Sequence, residues 1–324
     1  MFKNIFALVI VSIIFISDIQ AQQFPIFSQY RENSFVLNPA VAGSNDYRMI
    51  SLSYRNQWTG INESPQTQNA TFRTPIHRSN LGIGVNIVND QTGPTGFTGI
   101  NLALAYHLGM TKLNPFRYPT FIRNSRLSFG LSASFIQYRL NASELSLDMP
   151  NDPTIFENNE FRLLPNAGLG FYYYYSDNFF LGFSVPQAVP YNMLFIGDGG
   201  EATLKRVIHY YTVLGGSINF GTQDEFKIQP MVWYRALPKA PNQLDGLIRF
   251  NYDDLVWIGG GYRTSGTAIF EAGFMIAQLV SLGYSYDLGL TDVSSVLGST
   301  HEITLSFRFG DISEFQHGLR YYRR

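Results

Sequence analysis

Alternation of apolar with small polar residues, repeated in segment after segment, is the feature that most limits the fold of this chain. In Ile100, Leu102, Leu104 and Tyr106 every second residue is apolar, with Gly99, Asn101, Ala103 and Ala105 standing beside them. Leu127, Phe129, Leu131, Ala133 and Phe135 alternate with Ser128, Gly130, Ser132 and Ser134. Leu169, Phe171, Tyr173 and Tyr175 form a nearly all-aromatic face. Val280 to Tyr286 and Ile303 to Phe309 repeat the pattern against Ser281, Gly283, Ser285, Asp287 and against Glu302, Thr304, Ser306, Arg308. A period of two means a strand with two unlike faces. A soluble sandwich turns its polar face to bulk water and fills it with Lys, Glu and Thr. Here that face is Gly, Ser, Asn and isolated charges, which suits a crowded lumen, with the apolar face turned to lipid.

The expected fold is therefore all-β, a transmembrane antiparallel β-barrel of the outer-membrane type. The alternating segments number about fourteen, an even count of the kind single-chain bacterial barrels have. Their expected spans are 47–56, 66–76, 80–89, 97–108, 125–137, 163–176, 178–185, 206–220, 225–235, 243–252, 255–264, 267–276, 279–288 and 299–309. An even count puts both termini at the periplasmic end. Long connections over 140–161, 186–205 and 289–298 then fall outside, and short ones at 175–178, 252–255 and 276–279 fall inside. The stretch 109–124 does not fit this rule, being long yet on the inner side.

The N-terminus sets the compartment. Lys3, a near-continuous apolar run from Ile5 to Ile16 and the small residue Ala21 have the layout of a secretory signal peptide. The run is about 12 residues, short of the ~20 a membrane helix needs. The expected organisation is a signal peptide over 1–21, an N-terminal periplasmic segment over 22–46, the barrel over 47–309 and a polar tail over 310–324. The 27 Phe, 20 Tyr and 29 Gly suit a barrel with aromatic girdles, and charged residues are only 15%. With a net charge of −1 and no basic patch, nucleic acid is not an expected partner. The absence of cysteine excludes disulfides, thiol catalysis and a lipoprotein anchor.

Chemistry-bearing motifs are missing. No nucleophile elbow, phosphate loop or metalloprotease helix occurs. His77, His107, His209, His301 and His317 are scattered without ligand spacing. His209 falls within an expected strand and has no Ser partner nearby. Asp253 and Asp254 read as turn residues. No cofactor, metal or catalytic group is expected.

Carrying the alternation through places Arg235, Arg249, Arg263, Glu271, Asp287 and Arg308 on the lumen face. Unpaired charge in a narrow barrel is costly, so these are expected to pair across strands. Their role is either a structural ion-pair network or a polar lining that passes a solute. Among the long outer connections, 186–205 carries the apolar run Pro190, Tyr191, Met193, Leu194, Phe195 and Ile196. It either contacts a protein partner or folds back to cap the barrel.

An ordered set of short motifs adds a resemblance. Phe27-Ser28-Gln29-Tyr30 is followed by Asn38-Pro39-Ala40-Val41-Ala42-Gly43-Ser44 and by Arg55-Asn56-Gln57-Trp58-Thr59-Gly60. Later come Asp90 with Gly93, Val185-Pro186, Gly261-Tyr262-Arg263, Tyr284-Ser285-Tyr286-Asp287 and His301-Glu302-Ile303. In this order the chain resembles the PorP/SprF family of type IX secretion outer-membrane proteins, from about Phe27 to Phe309. The resemblance implies a non-enzymatic outer-membrane barrel of a Gram-negative bacterium. It implies a role in export or surface attachment of cargo, gliding adhesins included, that carries a C-terminal sorting domain. Lipid, that cargo, the translocon and a periplasmic ring are the implied partners. A passive porin or small-hydrophobe transporter is the alternative for a barrel of this size. For the residues themselves, Phe24 to Phe35 either plugs the lumen from below or lies along the rim. Arg55 takes a lumen pair or a rim contact, and Trp58 suits an interfacial belt.

Overall fold

The structure is a computed structural model that describes residues 26–77, 79–109, 125–141, 160–175, 178–197, 200–222, 224–238 and 241–310. Its barrel strands are β1 (Arg48–Asn56), β2 (Gln66–Pro75), β3 (Leu81–Thr92), β4 (Thr95–Gly109), β5 (Ser125–Leu140), β6 (Glu160–Tyr175) and β7 (Phe179–Val185). A hairpin of β8 (Tyr191–Gly197) and β9 (Gly200–Arg206) follows, forming a two-stranded sheet of its own. The barrel resumes with β10 (Tyr210–Gly216), β11 (Ile218–Phe220), β12 (Phe226–Ala236), β13 (Gln243–Tyr252), β14 (Val256–Arg263), β15 (Thr267–Ile276), β16 (Val280–Gly289) and β17 (Thr300–Phe309).

Every neighbour pair is antiparallel, and β1 closes on β17 from Arg48↔Phe309 to Asn56↔His301. β10 and β11 run along the same partner, β12, in one register. They are one strand interrupted where Pro230, which has no N–H to give, stands opposite Gly216. Counted so, the barrel has 14 strands and is closed. Both termini of the sheet lie at one end, called here the termini end.

The alternation follows from the two faces. In β5 the side chains alternate between buried and exposed along most of the strand. The exposed set includes Leu131, at 69%, with Phe129 and Phe135 beside it on the same face. The buried set is Ser125, Ser128, Gly130, Ser132, Ser134 and Ile136. Large apolar side chains outside and small polar ones inside are the inverse of a soluble protein and the normal state of a lipid-embedded barrel. Tight turns close the termini end: Asp253 and Asp254 take φ of 51° and 55°, and Ala277 and Gln278 take 51° and 57°. Paired left-handed residues are the two-residue hairpin geometry that matches strand twist. No helix among the described residues is long and apolar enough to cross a membrane, which says nothing against crossing by strands.

Four expectations are corrected. The segment 186–205 contains a paired hairpin, not an irregular loop. Residue 206 belongs to that hairpin, so the expected strand 206–220 starts late, at Tyr210, and His209 lies outside any strand. β5 and β6 reach further than expected, to Leu140 and from Glu160. The N-terminal segment, expected over 22–46 on the periplasmic side, has its described residues from Phe27 to Ala42 almost wholly buried within the barrel. The connection after Gly109 does leave from the termini end, but 110–124 and the expected loop 142–159 lie outside the described residues.

Candidate functional site

The lumen is filled by the chain's own N-terminal segment. Helix α1 (Tyr30–Leu37) is followed by a 3-10 turn at Pro39–Val41. A helix of 8 residues is too short to be stable alone, and Gln29 gives it no side-chain cap. Its form is therefore set by what the barrel wall offers. The segment descends from Ser28, level with the far ends of β16 and β17, to Gly43, against Gly82 at the termini end.

At the upper level Ser28 is gripped on every side. Its amide donates to Glu302 Oε2 at 2.7 Å and its hydroxyl donates to Asp287 Oδ2 at 2.7 Å. The same hydroxyl accepts from Arg55 Nη1 at 3.0 Å and Arg263 Nη2 at 3.3 Å. The Gln29 amide donates to Glu302 Oε1 at 3.1 Å, and Asn33 Nδ2 to the same oxygen at 3.4 Å. Arg55 bridges Asp287 at 2.8 Å and Glu302 at 3.0 Å. Arg263 bridges Asp245 at 2.9 Å and Asp287 at 3.3 Å. The Tyr30 hydroxyl donates to Asp245, and its ring stacks on Trp233 at 4.9 Å.

A second cluster lies below. Arg249 holds Glu271 through Nε and Nη2 at 2.7 and 2.8 Å, and Glu32 of the helix through Nη1 and Nη2 at 2.8 and 3.1 Å. Guanidinium planes forked onto carboxylates are the strongest and most directional ion pairs available to a protein. Glu302 is 0% exposed. Charges this deep persist only when paired, and here strand carboxylates, strand arginines and plug donors satisfy one another.

The lower part of the plug is seated by shape. Gly130 faces the 3-10 turn so closely that a Cβ there would lie 2.2 Å from Ala40 N and 2.4 Å from Pro39 C. Asn38 folds its Oδ1 back onto Ala40 N at 2.9 Å and donates from Nδ2 to Phe171 O at 3.0 Å. His107 Nε2 meets Ala42 O at 2.8 Å. Phe35 lies over Gly84.

Of the motif residues singled out in the sequence, Phe27, Gln29, Tyr30, Asn38, Pro39 and Gly43 belong to the plug and Arg55 to its socket. Gln57, Trp58 and Gly60 go elsewhere. They form the far rim, where Gln57 N donates to Pro65 O at 2.8 Å and Gly60 N to Leu297 O at 2.9 Å. That carbonyl closes the short helix α2 (Asp292–Leu297). Trp58 is exposed, with φ of 60°, a left-handed conformation that a bulky residue adopts only when held.

Arg263, Glu271, Asp287 and Arg249 all enter the ion-pair clusters. Arg235 donates to Gln243 at 2.5 Å, which in turn donates to Asp245 at 2.8 Å. Arg308 stays apart, over the Tyr47 ring and 3.6 Å from Met275 Sδ. Pro190 and Tyr191 open the β8 hairpin, and the Tyr191 hydroxyl donates to Pro165 O. Met193, Leu194, Phe195 and Ile196 lie within β8, paired to β9 from Leu204 to Glu201.

Asp245, Glu302, Glu32, Ser28 and Asn33 were not picked out as site residues. Asp245 and Glu302 share the lumen parity of Arg249 and Asp287, so alternation carried the signal. Ser28, Glu32 and Asn33 sit in a segment without strand periodicity, where the motif marked Ser28 and nothing marked Glu32 or Asn33. No group of His, Asp and Glu able to hold a metal occurs among the described residues.

An antiparallel barrel with a lipid-facing exterior and a lumen closed by its own N-terminal segment defines the class: a plugged outer-membrane β-barrel. Within that class the chain belongs to the type IX secretion system membrane protein PorP/SprF family, whose model matches residues 19–307. It is accordingly a component of type IX secretion located in the outer membrane. No curated protein sequence matches the chain. Solved structures of similar shape include the Ralstonia pickettii toluene transporter TbuX, with 12% identity and a TM-score of 0.49, covering 86% of this chain and 93% of that one. A Pseudomonas aeruginosa FadL homologue has 12% identity and a TM-score of 0.47, covering 84% and 92%. The Acinetobacter baumannii outer-membrane protein Omp33 has 10% identity and a TM-score of 0.44, covering 82% and 100%. At such distances these likenesses bear on no activity.

Proposed function

We propose that this protein is a non-enzymatic docking barrel of type IX secretion, supporting export or surface anchoring of an adhesin-like cargo through the cargo's C-terminal sorting domain. The observation that carries this reading is the filled lumen. Residues 27–42 are clamped by Arg55, Arg263 and Arg249, which suits a body that holds a partner at its rim rather than one that passes solutes. Recognition is assigned to the far rim, where the Trp58 turn, α2, the β8–β9 hairpin and the ends of β5 and β6 lie. By the usual polarity of outer-membrane barrels, with short turns in the periplasm, this rim faces outward. The translocon and its periplasmic ring are the expected neighbours, and outer-membrane lipid is the surrounding solvent.

The passive-porin reading is separated by two measurements on one protein. In planar bilayers the native barrel should give no steady conductance, and cells lacking it should lose one cargo from their surface. Exchange of residues 140–161 and 186–205 for those of a paralogue should leave insertion intact and abolish display of the native cargo. A steady open-pore current from the native barrel, together with normal cargo display without it, would overturn the proposal.

A further inference from the structure

The lumen holds two kinds of arginine. Arg55, Arg249 and Arg263 each have carboxylates within 2.7 to 3.3 Å. Arg73 and Arg308 have none among the described residues. Arg73 is 7% exposed, and its contact is Nη2 to Met49 Sδ at 2.9 Å, a weak acceptor. Arg308 has Nε buried without a partner and lies over the Tyr47 ring. The register makes the two converge. Met49 on β1 stands opposite Arg73 on β2 and opposite Arg308 on β17. All three side chains turn into the lumen, beside the strand ends at Arg48, Pro75 and Phe309.

Two strand spacings separate the two arginines, roughly 10 Å between Cα atoms, a gap that two long side chains close onto one anion between them. The nearest carboxylate on the plug, Glu32, is already taken by Arg249. Asp46 at the same end pairs with Arg126 at 3.6 Å. Two cations side by side at the lumen mouth repel each other and lack the carboxylates that Arg55, Arg249 and Arg263 have. We infer that Arg73 and Arg308 form a carboxylate-binding cradle at the periplasmic mouth of the barrel, built to receive an acidic peptide segment from below. The plug closes the route from above, so the ligand enters from the termini end. Arginine's planar fork suits a carboxylate, and two forks select a peptide carboxylate over a lone chloride.

Such a carboxylate has two sources. One is this chain's own tail, which leaves from the strand that carries Arg308 and contains Asp311 and Glu314. The other is a periplasmic protein. The test uses the full chain in detergent and a fluorescent, end-blocked oligoglutamate peptide at low salt, followed by anisotropy. If a partner supplies the carboxylate, the native chain binds the peptide saturably and Asp311→Asn with Glu314→Gln leaves affinity unchanged. If the tail supplies it, that double substitution strengthens binding by about tenfold or more. In either case Arg73→Gln with Arg308→Gln weakens binding by about tenfold or more, and Arg308→Lys retains part of it. Heat-dependent gel migration checks that each variant is a folded barrel, and Arg308→Gln alone serves if the double substitution fails to fold. Binding that is absent from every folded form, or indifferent to both arginines, would overturn the inference.

Discussion

The plug touches two walls of the lumen, and they hold it by different chemistry. On β13 to β17 and β1, charged side chains reach in and bond to Ser28, Gln29, Tyr30, Glu32 and Asn33. On β3 to β6, beside the hydrogen bonds of His107 and Phe171 O, the contacts are close approaches at glycines: Gly82 against Gly43, Gly84 against Phe35, Gly130 against Ala40, Gly170 against Asn38. Above those glycines runs a belt of neutral polar residues in one register, Thr71, Asn86, Asn101, Ser134 and Asn166. Asn86 Oδ1, Asn101 Oδ1 and Ser134 Oγ have no partner among the described residues. They line a small void of about 20 Å³ with Phe97, Ile136, Pro186 and Gln187. The charged wall bonds the plug through ion-paired side chains, and the neutral wall seats it by shape. A network of directional ion pairs fixes the position of the plug, whereas small neutral groups let backbone approach and leave the rest of the space to water. The contrast ranks the substitutions that would disturb the plug.

The largest effect is expected at Arg55. Replacing it with Met leaves Glu302 without its cation and Asp287 with Arg263 alone. Breaking one partner from a buried charge network costs about 3–5 kcal/mol. The protein should unfold at lower urea, and protease should reach the segment around Ser28, which the native barrel shields. Adding Glu302→Gln should recover part of the loss, because the stranded charge is then gone. If Arg55→Met unfolds with the native midpoint, the charged wall is not what holds the plug.

A middle effect is expected at Gly130. A Val there drives methyl groups into backbone that Pro39 and Ala40 cannot withdraw without the whole turn moving. Overpacking of this kind costs about 1–3 kcal/mol. The shift should appear as release of the lower plug with the upper ion pairs intact. Hydrogen exchange would show it as faster exchange at Ala40 and Val41 with little change at Ser28 and Gln29. Equal loosening at both levels would mean that the two walls act as one unit.

Much of this was legible in the sequence, for one physical reason. Lipid outside and a narrow lumen inside sort side chains by parity, so strands such as 97–108 and 299–309 announce themselves, and Arg249, Arg263, Glu271 and Asp287 inherit their facing from it. Asp253 and Asp254 mark their turn because Asp tolerates a left-handed backbone. The β8–β9 hairpin was not legible, since Tyr191 to Ile196 is an apolar run without alternation, and its pairing is with Gly200 to Arg206 rather than with the barrel. The break between β10 and β11 depends on Pro230 across the sheet, which local sequence does not reveal. The plug was the hardest part. Its helix is short, uncapped and without a strong stripe, and its shape is dictated by Glu302, Arg249 and Gly130, all distant in the chain.

The smallest effect is expected on the neutral belt, and it is the sharpest check on the contrast. Asn101 stands opposite Asn86 and Ser134, with its Oδ1 facing no protein partner. In a dry, close-packed site an unsatisfied amide costs about 1–3 kcal/mol, so replacing it with Leu would stabilise the barrel by a comparable amount. The space of about 20 Å³ beside Asn86, Asn101 and Ser134 has room for one water, which satisfies the group, and the substitution gains little. Asn101→Ser keeps a hydroxyl for that water and removes only bulk, so its effect on the urea midpoint should correspond to less than about 0.5 kcal/mol. Asn101→Leu should lie within about 1 kcal/mol of native in either direction. Neither should expose Ser28 to protease, because no charge contact of the plug is touched. A destabilisation by Asn101→Ser as large as that of Arg55→Met would show that the neutral wall bears on the plug as directly as the charged one, and the two-wall description would fail.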